Sequence, residues 1–476
     1  MARTLAVVGA GVSGLTAART AALRGMHVTV FEAADRAGGC LSRTDLGGFL
    51  PDGADDGAEA ALNRRPEARD LIGDLALDPV FPSRRHGSRL VTPNGASPIP
   101  AGTLMGVPAD AESLRGVLSD RGVERVAAET LTPPVDGDVS CGEFLAARLG
   151  DEFVDRVVDP LVGGVYAGRC RELSLEATIP ALLPAARQGT SVLDTVRSVL
   201  RSRARTAGAE IPGAGRTQSG TRAADEEPPP VFLSLAGGMN RIVPALVADL
   251  EAQGASMRWR EPVRAVAAGG LVQTEGGTEE FDSVVVALPA WAARSVLIEG
   301  DPQAAGGLGG LLDGIDYATS AVVTAVLRDR DAPLEGSGFL VPPALGGLVK
   351  ASTFSSNKWP WMAEALPDDH RVVRVSVGRR GDEEWTGIDD EALVQRAFAE
   401  WQGLTGYDGD LLHAEVKRWV RALPQYGPGH AQRVAQIDAA ASRLPGIHLA
   451  GSYLDGVGVP ACIGRAALTV DRLTAA

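Results

Sequence analysis

The chain has 476 residues, of which 45% are hydrophobic and 22% charged, and its formal net charge at pH 7 is −14. This length exceeds what one simple core needs and predicts two or three packed subdomains. The acidic balance argues against nucleic acid as the main partner, because phosphate binding needs a basic surface, but it leaves room for a local basic pocket that binds a small acidic substrate.

Cysteine and histidine are too dispersed to indicate a metal centre or a disulfide framework. The four cysteines include no C-x-x-C pair, and none of the six histidines has metal-ligand spacing. We therefore expect no metal, and a reduced, cytoplasmic setting in which the thiols act as small core residues. No run of about 18 apolar residues occurs, so we expect no transmembrane helix, while peripheral contact with a membrane stays compatible with the sequence.

The first residues have the pattern of a short apolar strand, a glycine-rich turn and a helix. Gly9 permits a tight turn after the strand, Gly11 lets a pyrophosphate approach the backbone, and Gly14 lets the helix pack closely on the strand. The free N–H groups at the helix start, at Val12 and Ser13, would then face the phosphates. This turn predicts dinucleotide binding.

The residues after the next apolar run separate FAD from NAD. Glu32 follows Gly14 at the spacing of an acid that accepts hydrogen bonds from ribose hydroxyls and disfavours a 2′-phosphate. From Glu32 the chain reads E-A-x-x-R-x-G-G-C, which resembles the second fingerprint of the amine-oxidase-like flavoproteins. That resemblance implies FAD, with further cofactor contacts at Ala33, Arg36, Gly38, Gly39 and Cys40. For Arg36, a solvated surface position is the alternative.

Composition and periodicity divide the chain into regions, and together they predict a fold that is α/β plus α+β. An FAD-binding Rossmann-like domain of the amine-oxidase type is predicted from residues 1–80, 231–300 and 410–476. Residues 81–200 are predicted to be a mostly helical insertion that provides substrate entry and could face a membrane. Residues 201–230 are typical of a flexible linker. The alternating strands of residues 301–409 predict an antiparallel-sheet, substrate-binding domain.

The C-terminus carries a third glycine-rich segment. Residues 447–451 have the pattern of a strand that ends at Gly451, and residues 456–463 lead into a helix expected over residues 464–473. This arrangement would place a helix N-terminus at the flavin ring, where its dipole stabilises negative charge on the reduced flavin. Simple packing of the helix is the alternative.

Several blocks, in one order along nearly the whole chain, resemble the oxygen-dependent protoporphyrinogen and coproporphyrinogen oxidases. They are G-A-E…R-R-P-E at 57–67, V-D-P-L-V-G-G-V-Y-A-G at 158–168, F-S-S-N-K-W-P at 354–360, L-P-Q-Y…G-H at 423–430 and G-V-G-V-P-A-C-I at 456–463. Such a series is more specific than any single motif. It implies an FAD-dependent oxidase of heme synthesis.

The resemblance also implies cofactor contacts that spacing alone does not give. The isoalloxazine is expected near Trp419 and the adenine near Val263. Cys40 departs from the Lys or Trp that is common at its position. The remaining implied contacts are Gly57, Ala58, Glu59, Gly451, Val457, Gly458 and Val459.

The implied reaction removes six electrons from a porphyrinogen in three two-electron steps. A hydride passes from a meso carbon to flavin N5, a pyrrole proton is lost, and dioxygen accepts the electrons and gives hydrogen peroxide. No protein base is assigned as catalytic. A macrocycle with carboxylate edges needs a cationic rim and apolar walls, and the candidates are Arg64, Arg89, Lys358, Tyr166 and Phe339. Solvated surface charge and ordinary core packing are their alternative roles.

By the same resemblance, the likeness to soluble bacterial members and the lack of a transmembrane segment favour coproporphyrinogen III over protoporphyrinogen IX as the substrate. An amine or carotenoid oxidoreductase on the same scaffold is a second alternative, and a flavin-binding or porphyrin-carrier protein without turnover is a third. Transfer of the porphyrin to a downstream enzyme of heme synthesis is compatible with the resemblance. The sequence predicts no oligomeric state.

Overall fold

The computed structural model describes residues 3–206, 229–330 and 334–475. Its central element is a five-stranded sheet in which every neighbouring pair is parallel. In spatial order the strands are Ser256–Arg258, His27–Phe31, Thr4–Val8, Ser283–Val286 and Ile447–Leu449. Distant parts of the chain therefore meet in one Rossmann-like sheet.

Helices and a small sheet cover both faces of this parallel sheet. One face shares an apolar core with Val12–Ala22, Ile242–Ala252 and Val459–Ala475. The other face packs on the helices Ala290–Gly300, Pro302–Asp313 and His430–Ala441. The same face packs on an antiparallel sheet of Ala265–Ala267, Leu271–Thr274 and Gly277–Glu280. Burial on both faces explains why its strands are continuous apolar runs.

A second, seven-stranded sheet lies beside the first. In order, its strands are Asp410–Gln425, Asp316–Arg328, His370–Val377, Val349–Phe354, Gly338–Leu340, Ser88–Thr92 and Gly95–Pro98. The pairing is antiparallel except between Gly338–Leu340 and Ser88–Thr92. The helix Asp390–Thr405 covers one face of this sheet.

Three strands of the seven-stranded sheet come from regions that the sequence assigns to other domains. Residues 81–200 are predicted as a helical insertion, but Ser88–Thr92 and Gly95–Pro98 belong to this sheet. Residues 410–476 are predicted as part of the FAD-binding domain, but Asp410–Gln425 also pairs here. That strand lies at the sheet edge and is only partly buried, so it lacks the apolar run of an inner strand.

A helical region with its own apolar core follows the strands near residue 100. Its helices are Ala111–Leu114, Asp120–Ala127, Cys141–Leu149, Asp151–Phe153, Val154–Val158, Asp159–Tyr166, Leu175–Thr178, Pro180–Leu182, Leu183–Gln188 and Val192–Thr206. The last helix corrects the start of the predicted linker, because it continues through residues 201–206; residues 207–228 lie outside the described part. Among the described helices, none has the length and apolarity needed to cross a bilayer.

Short elements complete the structure. Two-residue strands form small pairs or flank Phe232–Leu235, and they are Arg43–Thr44, Ala54–Asp55, Ala61–Leu62, Pro79–Val80, Thr103–Leu104 and Val107–Pro108. The remaining helical turns and short helices are Pro66–Asp74, Met239–Arg241, Pro343–Leu345, Ser355–Lys358, Pro360–Glu364 and Glu384–Gly387.

Candidate cofactor and substrate site

The first glycine-rich turn is tight because backbone atoms fill the space that side chains would need. Gly9 has a φ of +102°, and its amide donates to the Phe31 carbonyl at 2.8 Å. A Cβ on Gly14 would lie 1.8 Å from the Gly9 carbonyl oxygen, whereas a Cβ on Gly11 would meet no atom within 4 Å. The helix Val12–Ala22 begins beside this open space without a side-chain cap. The turn therefore fits a pyrophosphate.

The second predicted segment crosses directly over this turn. The Gly38 amide donates to the Ala10 carbonyl at 2.9 Å, and Gly38 has a φ of +122°. A Cβ on Gly38 would lie 2.4 Å from the Leu41 carbonyl oxygen, and one on Gly39 would lie 3.3 Å from Gly11 Cα. Both glycines are thus required by backbone contact.

Glu32 lies at the other end of the turn. Its carboxylate accepts hydrogen bonds from the amides of Ala10, at 2.8 Å, and Ala34, at 2.9 Å. The Glu261 amide donates to the Glu32 carbonyl at 2.9 Å, so the segment that leads to half-buried Val263 runs alongside. Val263 thus follows a segment that runs beside Glu32, and its contact with the adenine stays a prediction.

Two predicted contacts at this end are solvent-exposed. Ala33 and Arg36 are exposed, and the Arg36 guanidinium donates to the carbonyl of its neighbour Ala37 at 3.3 Å. Their contact with the cofactor stays a prediction.

The cysteines connect three parts of the chain. Burial raises the pKa of the Cys462 thiol to about 12, and this thiol shares a hydrogen bond with Ser13 and lies near Cys40. Cys462, on the last helix, therefore meets both predicted cofactor segments. Cys141 and Cys170 are also buried, but Cys40 is exposed, so the predicted core role is wrong for Cys40.

The segment of Gly57 and Ala58 packs against Cys40. A Cβ on Gly57 would lie 2.0 Å from the Cys40 carbonyl oxygen, and the Ala58 amide donates to the same oxygen at 3.2 Å. The Trp419 indole, on the edge strand of the seven-stranded sheet, donates to the Asp56 carbonyl at 2.9 Å. Trp419 thus lies beside this segment, and its contact with the isoalloxazine stays a prediction.

Glu59 forms a buried ion cluster rather than an open cofactor contact. Its carboxylate pairs with Lys358 and, at 2.8 Å, with Arg374, whose guanidinium also donates to the Gly57 carbonyl at 2.7 Å. Burial favours a higher pKa for Glu59, but the two cations lower it to about 2. Lys358, predicted to bind a substrate carboxylate, is therefore already paired. Arg374 is absent from the predicted site, although a charge inside an apolar strand was a signal for it.

The C-terminal turn joins the other segments. Gly451 has a φ of +148°. Val457 packs against the core of the helical region, and Val459 packs in the core that includes the first helix. The last helix begins at Val459 rather than at residue 464, because Pro460 fits the first turn of a helix and does not block it. The two ends of the chain thus share one core.

Of the two predicted rim arginines, one faces away from this site and the other lies on the protein surface. Arg89 pairs with Glu335 at 3.3 Å and lines a cavity of about 560 Å³ together with Arg85. Its neighbour Leu90 packs toward the helical region, so strand alternation turns Arg89 to the opposite face. Arg64 is exposed and lies near Arg203.

The two predicted aromatic walls are core residues. Tyr166 is 8% exposed and lies in the core of the helical region. Phe339 is 6% exposed and packs edge-on to Phe354 beneath the helix Asp390–Thr405. The next residue, Leu340, instead packs against the helical region, and its Cδ2 would lie 3.3 Å from a Cβ on Gly164. Leu340 is therefore the better candidate for a wall of the substrate site.

Comparison with known proteins agrees with this geometry. Residues 12–474 match the family described as flavin containing amine oxidoreductase. The chain is 34% identical to a Mycobacterium tuberculosis protein named coproporphyrinogen III oxidase, over 99% of this chain and 97% of that protein. It is 24% identical to Arabidopsis thaliana protoporphyrinogen oxidase 2, over 98% and 93% of the two chains. A crystal structure from Exiguobacterium sp. 255-15, which carries the proposed name protoporphyrinogen oxidase, has a TM-score of 0.82, 26% identity and 99% coverage of both chains.

Proposed function

Because the chain belongs to the flavin-containing amine oxidoreductases, we propose that it is an FAD-dependent oxidase that converts coproporphyrinogen III to coproporphyrin III. The observation that carries the proposal is the convergence of three glycine-rich segments. Gly38 bonds the turn of residues 9–14, and the Cys462 thiol, which lies at Ser13 and near Cys40, also contacts the Gly456 carbonyl. The name of the M. tuberculosis relative supports the substrate.

In this proposal the chain binds and orients, and the bound FAD supplies the two-electron redox chemistry. The amides of Val12 and Ser13 hold the pyrophosphate, and Glu32 accepts from the ribose. The N-terminus of the helix Val459–Ala475 stabilises negative charge at the flavin. No protein base is needed, because each oxidation of the macrocycle extends its conjugation and acidifies the remaining N–H groups.

Dioxygen is the proposed electron acceptor, with hydrogen peroxide as the by-product, and the cytoplasm is the proposed location. Peripheral contact with a membrane and delivery of the porphyrin to a later enzyme of heme synthesis belong to the same proposal. Leu340 and Val457, which both pack against the core of the helical region, supply apolar walls for the macrocycle.

A second candidate substrate is protoporphyrinogen IX, which the name of the A. thaliana relative favours. The test gives the purified yellow protein each porphyrinogen separately in air and follows porphyrin fluorescence, with an amine substrate as the control. We expect faster turnover of coproporphyrinogen III and none of the amine. Equal rates on both porphyrinogens would contradict the preference between them. Turnover of the amine alone would contradict the proposed function.

A further inference from the structure

Two stacked aromatic residues follow the edge strand Asp410–Gln425, and the proposed reaction gives them no role. Tyr426 and His430 are 2% and 6% exposed. Their ring centroids lie 3.9 Å apart, with 13° between the ring planes. Both residues belong to the L-P-Q-Y…G-H block of the sequence.

Each ring donates one hydrogen bond to the turn that precedes the last helix. The Tyr426 hydroxyl donates to the Ser452 carbonyl, and His430 Nε2 bonds the Leu454 carbonyl at 3.0 Å. A carbonyl oxygen only accepts, so His430 carries a proton on Nε2. Burial lowers the pKa of His430, which favours the neutral ring with this tautomer.

The turn itself is an extended stretch of irregular backbone. Gly451 and Gly456 both have a φ of +148°, and residues 450–458 form neither helix nor strand. Within the turn, the Leu454 amide donates to the Gly451 carbonyl at 3.3 Å, which is a long hydrogen bond. The bonds from the two rings therefore act beside the burial of Tyr453 and Leu454 and the ion pair of Asp455 with Arg465 at 3.2 Å. They are the ties that link the turn to residues 426–430, and the turn ends at the predicted flavin contacts.

The segment that carries the rings is also tied to the helical region. The Ser174 amide donates to the Tyr426 carbonyl at 2.7 Å. The Gly429 amide donates to the Asp138 carboxylate at 2.8 Å. Residues 426–430 therefore contact the helical region with their backbone and with the Tyr426 ring, which packs on Tyr166 at 5.6 Å between centroids, and both side chains bond the C-terminal turn.

We propose that Tyr426 and His430 are positioning residues that hold the turn of residues 451–458 in the place where the flavin ring binds, and that they link this turn to the helical region. The inference rests on the proposed function for the location of the flavin. Loss of either donor leaves a buried carbonyl without its partner, so the turn relaxes toward another bond and moves from the flavin. FAD affinity should then fall more than overall stability does.

The test compares Tyr426→Phe with a matched control, Tyr407→Phe. Tyr407 is also buried, at 6% exposed against 2% for Tyr426, and its hydroxyl donates to Asp329 at 3.0 Å, but it lies in the core beneath the helix Asp390–Thr405. Each variant loses one hydroxyl and keeps its ring. We expect Tyr426→Phe to weaken FAD binding about 10-fold and to shift the flavin absorption spectrum. We expect Tyr407→Phe to lower the Tm of the apoprotein by about as much as Tyr426→Phe does. Unlike Tyr426→Phe, it should leave the FAD Kd within about twofold of the wild-type value.

Equal FAD affinity in the two variants, measured by quenching of flavin fluorescence, would overturn the inference. If Tyr426→Phe does not fold, His430→Phe gives the same comparison, because it keeps an aromatic ring and removes the Nε2 donor. The outcome is separable from the proposed function. A wild-type protein that binds FAD but oxidises no porphyrinogen would defeat the proposed reaction, while the FAD Kd of the variants would still decide the role of the two rings.

Discussion

Glycine backbone, rather than charged side chains, shapes the predicted cofactor site. Gly14 has no room for a Cβ, whereas a Cβ on Gly11 would point into open space. Gly11 also has a φ of −74°, which alanine adopts without strain. The fold therefore requires a glycine at position 14, whereas only the ligand requires one at position 11.

We predict that Gly11→Ala leaves the apoprotein within about 0.5 kcal/mol of wild-type stability. Because its methyl group occupies the space for the pyrophosphate, it should weaken FAD binding by about 100-fold. Gly14→Ala should instead destabilise the apoprotein by about 3 kcal/mol, because its Cβ collides with the Gly9 carbonyl. Denaturant unfolding of the apoproteins and FAD titration measure both effects. Wild-type FAD affinity in Gly11→Ala would contradict the placement of the pyrophosphate.

Glu59 makes stability depend on pH. Its pKa is about 2 in the folded protein, against an ordinary value of 4.5. The ionised carboxylate therefore contributes to stability above pH 4.5, and this contribution is lost as the pH falls from about 5 to about 2, with a full size on the order of 3 kcal/mol.

We predict that Glu59→Gln is less stable than wild type at pH 5 and that the difference shrinks as the pH falls toward 3. The free energy of unfolding of both proteins at several pH values measures this. Glu335→Gln is the control, because Glu335 pairs with Arg89 but is largely exposed. A difference that does not change with pH would show that the ion cluster does not hold Glu59 ionised.

The glycines could be predicted from the sequence because their spacing is local, whereas the ion cluster could not. Lys358 and Arg374 lie 299 and 315 residues from Glu59 along the chain. A pair so distant depends on how two sheets approach each other, which residue type and spacing do not encode. The same reason explains why the sequence did not predict which face of the seven-stranded sheet Arg89 and Phe339 would occupy. Both lie on the face opposite to the one that Leu340 presents to the helical region.

Among the elements, those that are buried on both faces were predicted best. The first strand, Thr4–Val8, and the second, His27–Phe31, lie where the two apolar runs before Gly9 and Glu32 predict them. The edge strand Asp410–Gln425 was missed, because its residues up to Leu423 are all partly exposed and give no clear alternation of charged and apolar side chains. The fold class, the flavin cofactor and the family are confirmed by the family match and by the similarity to solved structures.

The two faces of the strand Gly338–Leu340 give a prediction at this scale. Leu340→Ala should raise the KM for porphyrinogen at least about 5-fold, because it removes an apolar wall of the proposed substrate site. Phe339→Leu should lower stability by about 1 kcal/mol and leave the KM unchanged, because Phe339 packs beneath the helix Asp390–Thr405. Steady-state kinetics with thermal unfolding separates the two effects. A KM that rises in Phe339→Leu and not in Leu340→Ala would contradict this prediction, because it would place the substrate on the face covered by the helix Asp390–Thr405.

For the whole molecule, the ends of the chain matter together. The first helix and the last helix share one core, and the Arg3 guanidinium donates to the Leu473 carbonyl at 3.3 Å. A ligand that contacts both ends binds only the folded protein. Its binding energy therefore adds to the stability of the whole nucleotide-binding part.

We predict that FAD at 100 times its Kd stabilises the protein by about 2.7 kcal/mol and raises the Tm by on the order of 3 °C. The Tm as a function of FAD concentration measures this. Gly11→Ala at the same FAD concentration is the control and should show a much smaller rise. A wild-type Tm that is independent of FAD would contradict the shared site.

The order of strands in the parallel sheet also affects synthesis of the protein. Thr4–Val8 leaves the ribosome first, but its neighbour Ser283–Val286 follows only after more than half of the chain, and the edge strand Ile447–Leu449 comes near the end. At about 5–20 residues per second, the nascent first strand gains His27–Phe31 early but waits tens of seconds for Ser283–Val286 on its other side. During that interval its apolar faces are open to aggregation, so loading of the cofactor must follow translation of nearly the whole chain.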